Sequence, residues 1–285
     1  MTAAPAITLR RHDGPGHRFE IATRPPAAAL AGLVRPYLGY VEHAAAPVRR
    51  LQVPRTGLPL IISFGPSLDV APAARPADGR PVTSFLAGLH EHAVVTAYAG
   101  PQAGVQMDLT PLGALVLFGG AAAEAANRVV SLADVLGAEA GRLAEQLALA
   151  PDWAARFDLL DRLLTARLAA ARRPAPELAH AVARLTAREG GVAVARLAEE
   201  TGWSRQHLTL RLRQELGLTP KTLGRLARFE RATRLIAASP SLADLAAACG
   251  YADQAHLAHE FRAFAGRTPG AFAAAAGGGG LGVAA

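Results

Sequence analysis

His90-Glu91-His92 sets two imidazoles at alternate positions, which on a strand share one face and so make the beginning of a zinc or iron site. Such a site needs a third ligand. No acidic residue or histidine follows at suitable spacing before Gly100, so a solvent-facing strand or loop is the plainer reading and no metal is expected. Glu42-His43 has no stronger claim. Cys249 is the only cysteine, which excludes an intramolecular disulfide and a Cys-rich zinc site; just before Gly250 it reads as a small buried hydrophobe rather than a redox sensor. No Walker loop, dinucleotide glycine motif, Gly-x-Ser-x-Gly elbow or His-Glu-x-x-His is present, so no cofactor or catalytic residue is assigned. The chemistry that remains is that of guanidinium. The formal charge is +7, Lys221 is the only lysine, and between Leu178 and Phe272 thirteen Lys/Arg face eight Asp/Glu. An alanine-crowded, arginine-rich chain can raise its net charge without any binding role, but this clustering in the C-terminal third suits a polyanionic partner.

The elements that must carry these groups divide the chain. At 285 residues it has room for two domains of ordinary size. From Arg35 to Gly120, short apolar runs alternate with Pro and Gly: Leu51–Val53, Leu58–Phe64, Val94–Tyr98, Gly104–Leu109 and Ala114–Phe118. Such runs predict strands, with Ala71–Arg80 as a surface loop between two of them. Helices are expected at Ala121–Arg128, Leu132–Leu136, Ala140–Leu149 and Trp153–Ala171. In the last, Phe157, Leu160, Leu164 and Leu168 form one apolar stripe that packs on the β-rich part, on a twin helix in a homodimer through residues 140–171, or both. Arg172-Arg-Pro-Ala-Pro176 breaks that helix. The expected division is 1–172, a β-rich, barrel-like effector or dimerisation domain ending in helices; 173–273, all helical; and 274–285, a flexible tail with four glycines from Gly277. The class is α+β. In the first domain Phe64, Phe85, His90, Tyr98 and Met107 are candidates to line a ligand pocket, with Phe118, Gln102 and Gln106 beside them, although a plain core is the simpler reading of the apolar ones.

The C-terminal part repeats itself. Leu197, Ala198, Gly202 and Trp203 recur 48 residues on as Leu245, Ala246, Gly250 and Tyr251; Leu208, Leu212, Gly217, Thr219 and Pro220 recur 49 residues on as Leu257, Phe261, Gly266, Thr268 and Pro269. Each copy has a short helix, a glycine where the chain reverses, and a second helix opened by a capping side chain, Ser204 or Asp253. Ser241 and Asp244 add a capping box. This is a helix-turn-helix written twice, its second helix placed to enter the major groove of DNA. Thr219-Pro220 starts a joining helix from Lys221 to Ala238, roughly 27 Å long and thus able to hold two reading helices about one DNA turn apart. Arg225, Arg228, Arg231 and Arg234 step along it by threes as a stripe suited to phosphates, or simply to water.

Over about Glu177–Phe272 these leucines, the Gly-Trp-Ser and Gly-Tyr-Ala-Asp-Gln turns and the paired Gly-x-Thr-Pro endings make the sequence resemble the AraC/XylS family of bacterial transcription regulators. The resemblance implies base contacts early in each reading helix: Arg205, Gln206 and Thr209, then Gln254, Ala255, His256 and Ala258. Leu210 and His259 stand where many members place an arginine. Arg211 lies about 100° round the helix and suits phosphate or solvent. The N-terminal half in such proteins binds an effector, dimerises, or both.

Taken together, the sequence is expected to encode a cytoplasmic, sequence-specific regulator of transcription. Its partners would be double-stranded DNA, a small-molecule effector, a second copy, and RNA polymerase if it activates. No apolar stretch approaches the ~20 residues of a membrane helix. The alternatives are a metal-dependent barrel enzyme tethered to DNA and a ligand-free architectural DNA binder.

Overall fold

A computed structural model describes residues 5–276 and 283–284. Among these residues the strands are β1 (Thr8–Gly14), β2 (His17–Arg24), β3 (Tyr37–Gln52), β4 (Leu58–Ser63), β5 (Leu68–Pro72), β6 (Arg80–Val82), β7 (Phe85–Ala87), β8 (Val94–Leu109), β9 (Val129–Ser131) and β10 (Val283–Ala284). The helices of the first half are α1 (Pro111–Phe118), α2 (Ala121–Glu124), α3 (Leu132–Leu136), α4 (Glu139–Leu149) and α5 (Trp153–Ala170). Those of the second are α6 (Pro176–Ala187), α7 (Val194–Thr201), α8 (Arg205–Leu216), α9 (Pro220–Leu235), α10 (Leu242–Ala248), α11 (Gln254–Ala265) and α12 (Pro269–Ala276). The protein is therefore α+β, with an antiparallel sheet domain first and a helical region after it.

The sheet runs β1-β2-β3-β8-β4-β7-β9, every pair antiparallel. The long β8 pairs with β3 on one side and, on the other, with β5 near its start and β4 near its end. A register shift between Ala44 and Val48 bends β3 against it. The period of two is visible in β3, where Tyr40, Glu42 and Ala44 are buried while Val41 and His43 are exposed.

Helix α5 closes one face. Phe157, Leu160 and Leu164 are fully buried, and the Tyr37 and Phe157 rings stack with centroids 5.6 Å apart. Arg24 of β2, 1% exposed, donates to Asp158 and Asp161 of α5 at 2.6 Å each, and Tyr37 donates to Asp161 at 2.7 Å. Three side chains of the stripe are thus buried within their own chain and closed to a twin helix, whereas Leu168 is half-buried.

Ala114–Phe118, expected as a strand, is helical. Thr110 caps it by accepting from Gly113 N at 3.0 Å, Pro111 occupies the first turn, and the run is buried on more than one face, so its apolar pattern carries no period. The predicted helix from Ala121 stops at Glu124, because residues 129–131 pair with β7 instead. Strands β1 and β2 precede the region read as strands. The expected tail falls largely outside the described residues; within them α12 continues to Ala276 and β10 pairs with β3.

Candidate functional site

Each helix-turn-helix is built by the caps its sequence supplies. Gly202, at φ 69°, ends α7 and Gly250, at φ 72°, follows α10, a backbone region that side chains other than glycine enter at a cost. Ser204 accepts from His207 N at 3.1 Å and Asp253 from His256 N at 2.7 Å, opening α8 and α11. Thr219 and Thr268 do the same for α9 and α12. Leu197, Leu208, Leu212, Leu245, Leu257 and Phe261 are fully buried, which turns the outer faces of α8 and α11 to solvent.

On α8 the exposed face gathers Arg205, Gln206, Thr209, Leu210 and Arg213 around one shallow concavity. Thr209 spends its hydroxyl on Arg205 O at 2.8 Å, which leaves its methyl as its free group. Leu210 is 51% exposed, unusual on a helix whose three other leucines are buried. Arg211 points away and pairs with Glu215 at 2.9 Å. On α11 the equivalent positions are Gln254, Ala255 and His259, exposed, with Ala258 half-buried and Arg262 exposed at the far end. Arg213 and Arg262 are absent from the residues selected by sequence; their eight-residue spacing from Arg205 and Gln254 was the available signal. His256 turns back to the turn, its Nδ1 accepting from Ala252 N at 3.4 Å and its ring lying 5.2 Å from that of Tyr251. His207 and Trp203 make the corresponding ring pair in the first copy, 4.6 Å apart. The repeat therefore extends to a Trp/Tyr–His clasp behind each reading helix.

The arginines of α9 have partners within the chain, although Arg234 stays exposed. Arg225 donates to the buried Glu260 of α11 at 2.9 Å, and Arg231 and Arg234 both pair with Glu189. Arg228 lies half-buried over the Tyr251 ring and reaches Gly190 O at 3.4 Å. Steps of three residues carry these side chains round the helix onto the faces that meet its neighbours, so they brace the two units against each other.

The sheet domain encloses a cavity of about 1000 Å³, solvent at its mouth included, lined from β3, β4, β5, β7, β8 and β9. Of the side chains named from sequence, Phe85, His90, Tyr98, Gln102 and Gln106 line it. Met107 sits in the main core, and Phe64 lies under the Arg156 guanidinium, 5.2 Å from its ring centroid. His90-Glu91-His92 is a loop rather than a strand, and among the described residues no group of three or more His, Cys, Asp or Glu could hold a metal ion. At the cavity wall Glu42, 4% exposed, accepts from Arg50 at 2.5 and 3.0 Å and meets His17 at 2.6 Å. Burial pushes the Glu42 carboxyl up, but those partners outweigh it and hold the group below the usual carboxylate range.

The wall segment Val53–Gly57 also grips the helical region. Glu230 of α9 accepts from Thr56 N at 3.0 Å, from Thr56 Oγ1 at 2.5 Å and from Arg35 at 2.7 Å, while Val53, Pro54, Arg55 and Gly57 line the cavity. Burial raises the Glu230 carboxyl; Arg35 and Thr56 more than reverse it. A second contact joins α2 to α8, where a Cβ on Gly217 would stand 2.2 Å from Ala126. The sheet domain thus holds the joining helix and the first reading helix together. Sequence alone could not pair Arg35 or Thr56 with a carboxylate more than 170 residues away.

Two helix-turn-helix units in tandem, with their second helices exposed, are the architecture of a DNA-binding region. Residues 197–275 match a family model described as a helix-turn-helix domain. Among solved structures it is similar to the DNA-binding domain of AdpA, a global transcriptional factor, in complex with a target DNA, at 29% identity over 35% of this chain and 93% of that one, with a TM-score of 0.33. A transcriptional regulator with an AraC-type DNA-binding domain from Chromobacterium violaceum matches at 28% identity over 35% of this chain and 90% of that one, with a TM-score of 0.32. ToxT from Vibrio cholerae strain SCE256, with an unsaturated fatty acid bound, matches at 10% identity over 81% of this chain and 96% of that one, with a TM-score of 0.45. No curated protein matches the chain. Among the described residues no helix is long and apolar enough to cross a membrane.

Proposed function

We propose that this chain is a one-component, non-catalytic regulator: residues 173–273 read operator DNA through α8 and α11, and residues 1–172 bind a small-molecule effector that biases the reading. The observation that carries the first half is the matched pair of exposed faces, Arg205, Gln206, Thr209 and Leu210 on α8 and Gln254, Ala255 and His259 on α11, at equivalent places of a repeated scaffold. Arg and Gln suit the hydrogen-bonding edges of guanine and adenine, and Leu and Ala suit the thymine methyl. Because the two faces differ at every one of these positions, the preferred site is two unlike half-sites rather than a direct repeat.

The second half is supported by the cavity and by the Thr56–Glu230 grip at its wall, which gives an occupant a route to α9. A second copy docking through residues 140–171 would use side chains other than the buried Phe157, Leu160 and Leu164, and RNA polymerase is the further partner if the chain activates. Binding of the full chain to duplexes selected from a random pool tests the reading. A selected sequence bound well above a scrambled one supports it, and equal binding rejects it.

A further inference from the structure

The charges around the cavity restrict what it can hold. Its two arginines are already neutralised, Arg50 by Glu42 at 2.5 Å and Arg55 by Asp108 at 2.9 Å. Burial pushes His90 below its ordinary 6.5, so its ring is neutral at pH 7; its Nδ1–H donates to Gly88 O at 2.6 Å, leaving Nε2 as an acceptor. His92 is exposed at the rim. An anion entering this space would meet no unpaired arginine, and its desolvation would go uncompensated.

Among the described residues two polar atoms in the lining have no hydrogen-bond partner, Tyr98 Oη and Gln102 Oε1, and only the second can do nothing but accept. Gln102 is 3% exposed, its Nε2 donates to Ser67 O at 3.4 Å, and its Oε1 is buried without a hydrogen bond. A buried amide oxygen left unmatched destabilises a protein unless something supplies a donor. Around it Ile61, Leu68, Val70, Phe85, Val94 and Val129 give an apolar wall.

We propose that this cavity receives an uncharged, mainly apolar small molecule bearing a hydroxyl or N–H that donates to Gln102 Oε1. The proposal rests on the reading of the sheet domain as the effector domain and adds the chemical class of the effector. The same occupant lies against Pro54, Arg55 and Gly57, on either side of the residue that holds Glu230.

A matched pair of fluorescent probes tests it on the full chain without DNA. N-phenyl-1-naphthylamine is uncharged, apolar and carries one N–H; 8-anilinonaphthalene-1-sulfonate is the same skeleton with a sulfonate. The expected result is saturable binding of the amine, at least about tenfold tighter than the sulfonate. Gln102→Leu should weaken the amine about fivefold. Val129→Trp, or Ala87→Trp should the first fail to fold by circular dichroism, should abolish its binding by filling the space. Sulfonate binding as tight as the amine, and lost on filling, would overturn the uncharged class while leaving an effector domain in place. Saturable binding of neither probe, or binding that survives filling, would overturn both. DNA affinity is read separately, so failure of the regulator reading remains distinguishable.

Discussion

Glu230, on the helix that joins the two reading units, accepts a hydrogen bond from the backbone N–H of Thr56 at 3.0 Å, and the neighbours of Thr56 on both sides line the cavity. Removing the charge with Glu230→Gln should cost about 1–2 kcal/mol in urea unfolding, a value discounted because Arg35 is about a third exposed. Thr56→Val and Glu230→Gln together should cost less than the sum of the two single changes. Additive losses would mean the contact does not couple the domains.

The same carboxylate predicts a pH dependence. Its folded-state pKa lies below the ordinary 4.5, so the folded protein releases this proton more readily than the unfolded chain does. The stabilisation is therefore complete above about pH 4.5 and is lost as pH falls through the lower, folded value. Between pH 6 and pH 3.5 the stability lost by the wild type should exceed that lost by Glu230→Gln. Parallel curves would remove Glu230 from the account.

Leu210 has more than half its surface exposed on the reading face of α8. Contact with a thymine methyl would explain it, since that methyl is the apolar group of the major groove. Replacing thymines by uracil one at a time in the selected site should reveal a position that costs about 1 kcal/mol, near fivefold in affinity, and Leu210→Ala should erase that sensitivity. Leu210→Ala proteins that still respond to the missing methyl would assign the contact elsewhere.

Arg205 and Arg228 should separate cleanly. Among the described residues no ion pair engages Arg205, which is exposed at the start of α8, and Arg205→Ala should cost about 1–3 kcal/mol on the selected site while barely changing binding to scrambled DNA. Arg228 braces Tyr251 and Gly190, so Arg228→Ala should lower the melting temperature and weaken both DNAs alike. Competition titrations with thermal melts check both, and a loss of specificity in the Arg228 variant would reverse the assignment.

The helical region was legible because its signals are local. Ser204, Asp253, Thr219 and Thr268 cap the helices they precede, and the spacing of buried leucines survives in two copies. Sequence failed where a residue's role depends on a distant partner. The α9 arginines read as a stripe facing phosphate or water, and nothing in the sequence signals that Glu189 and Glu260 pair with three of them. Ala114–Phe118 read as a strand because a helix buried on several sides loses its period. The cavity could be named only in part: Phe85, His90 and Tyr98 come to it, whereas Met107 alternates to the other face of β8 and Phe64 goes to α5.

The central claim is that α8 and α11 read sequence. Its most direct test is the affinity of the full chain for its selected duplex and for a scrambled one across a salt series. Both affinities should fall as salt rises, reflecting phosphate contacts, while the selected duplex stays tighter by about a thousandfold or more at physiological salt. Equal affinities at every salt concentration would contradict the account.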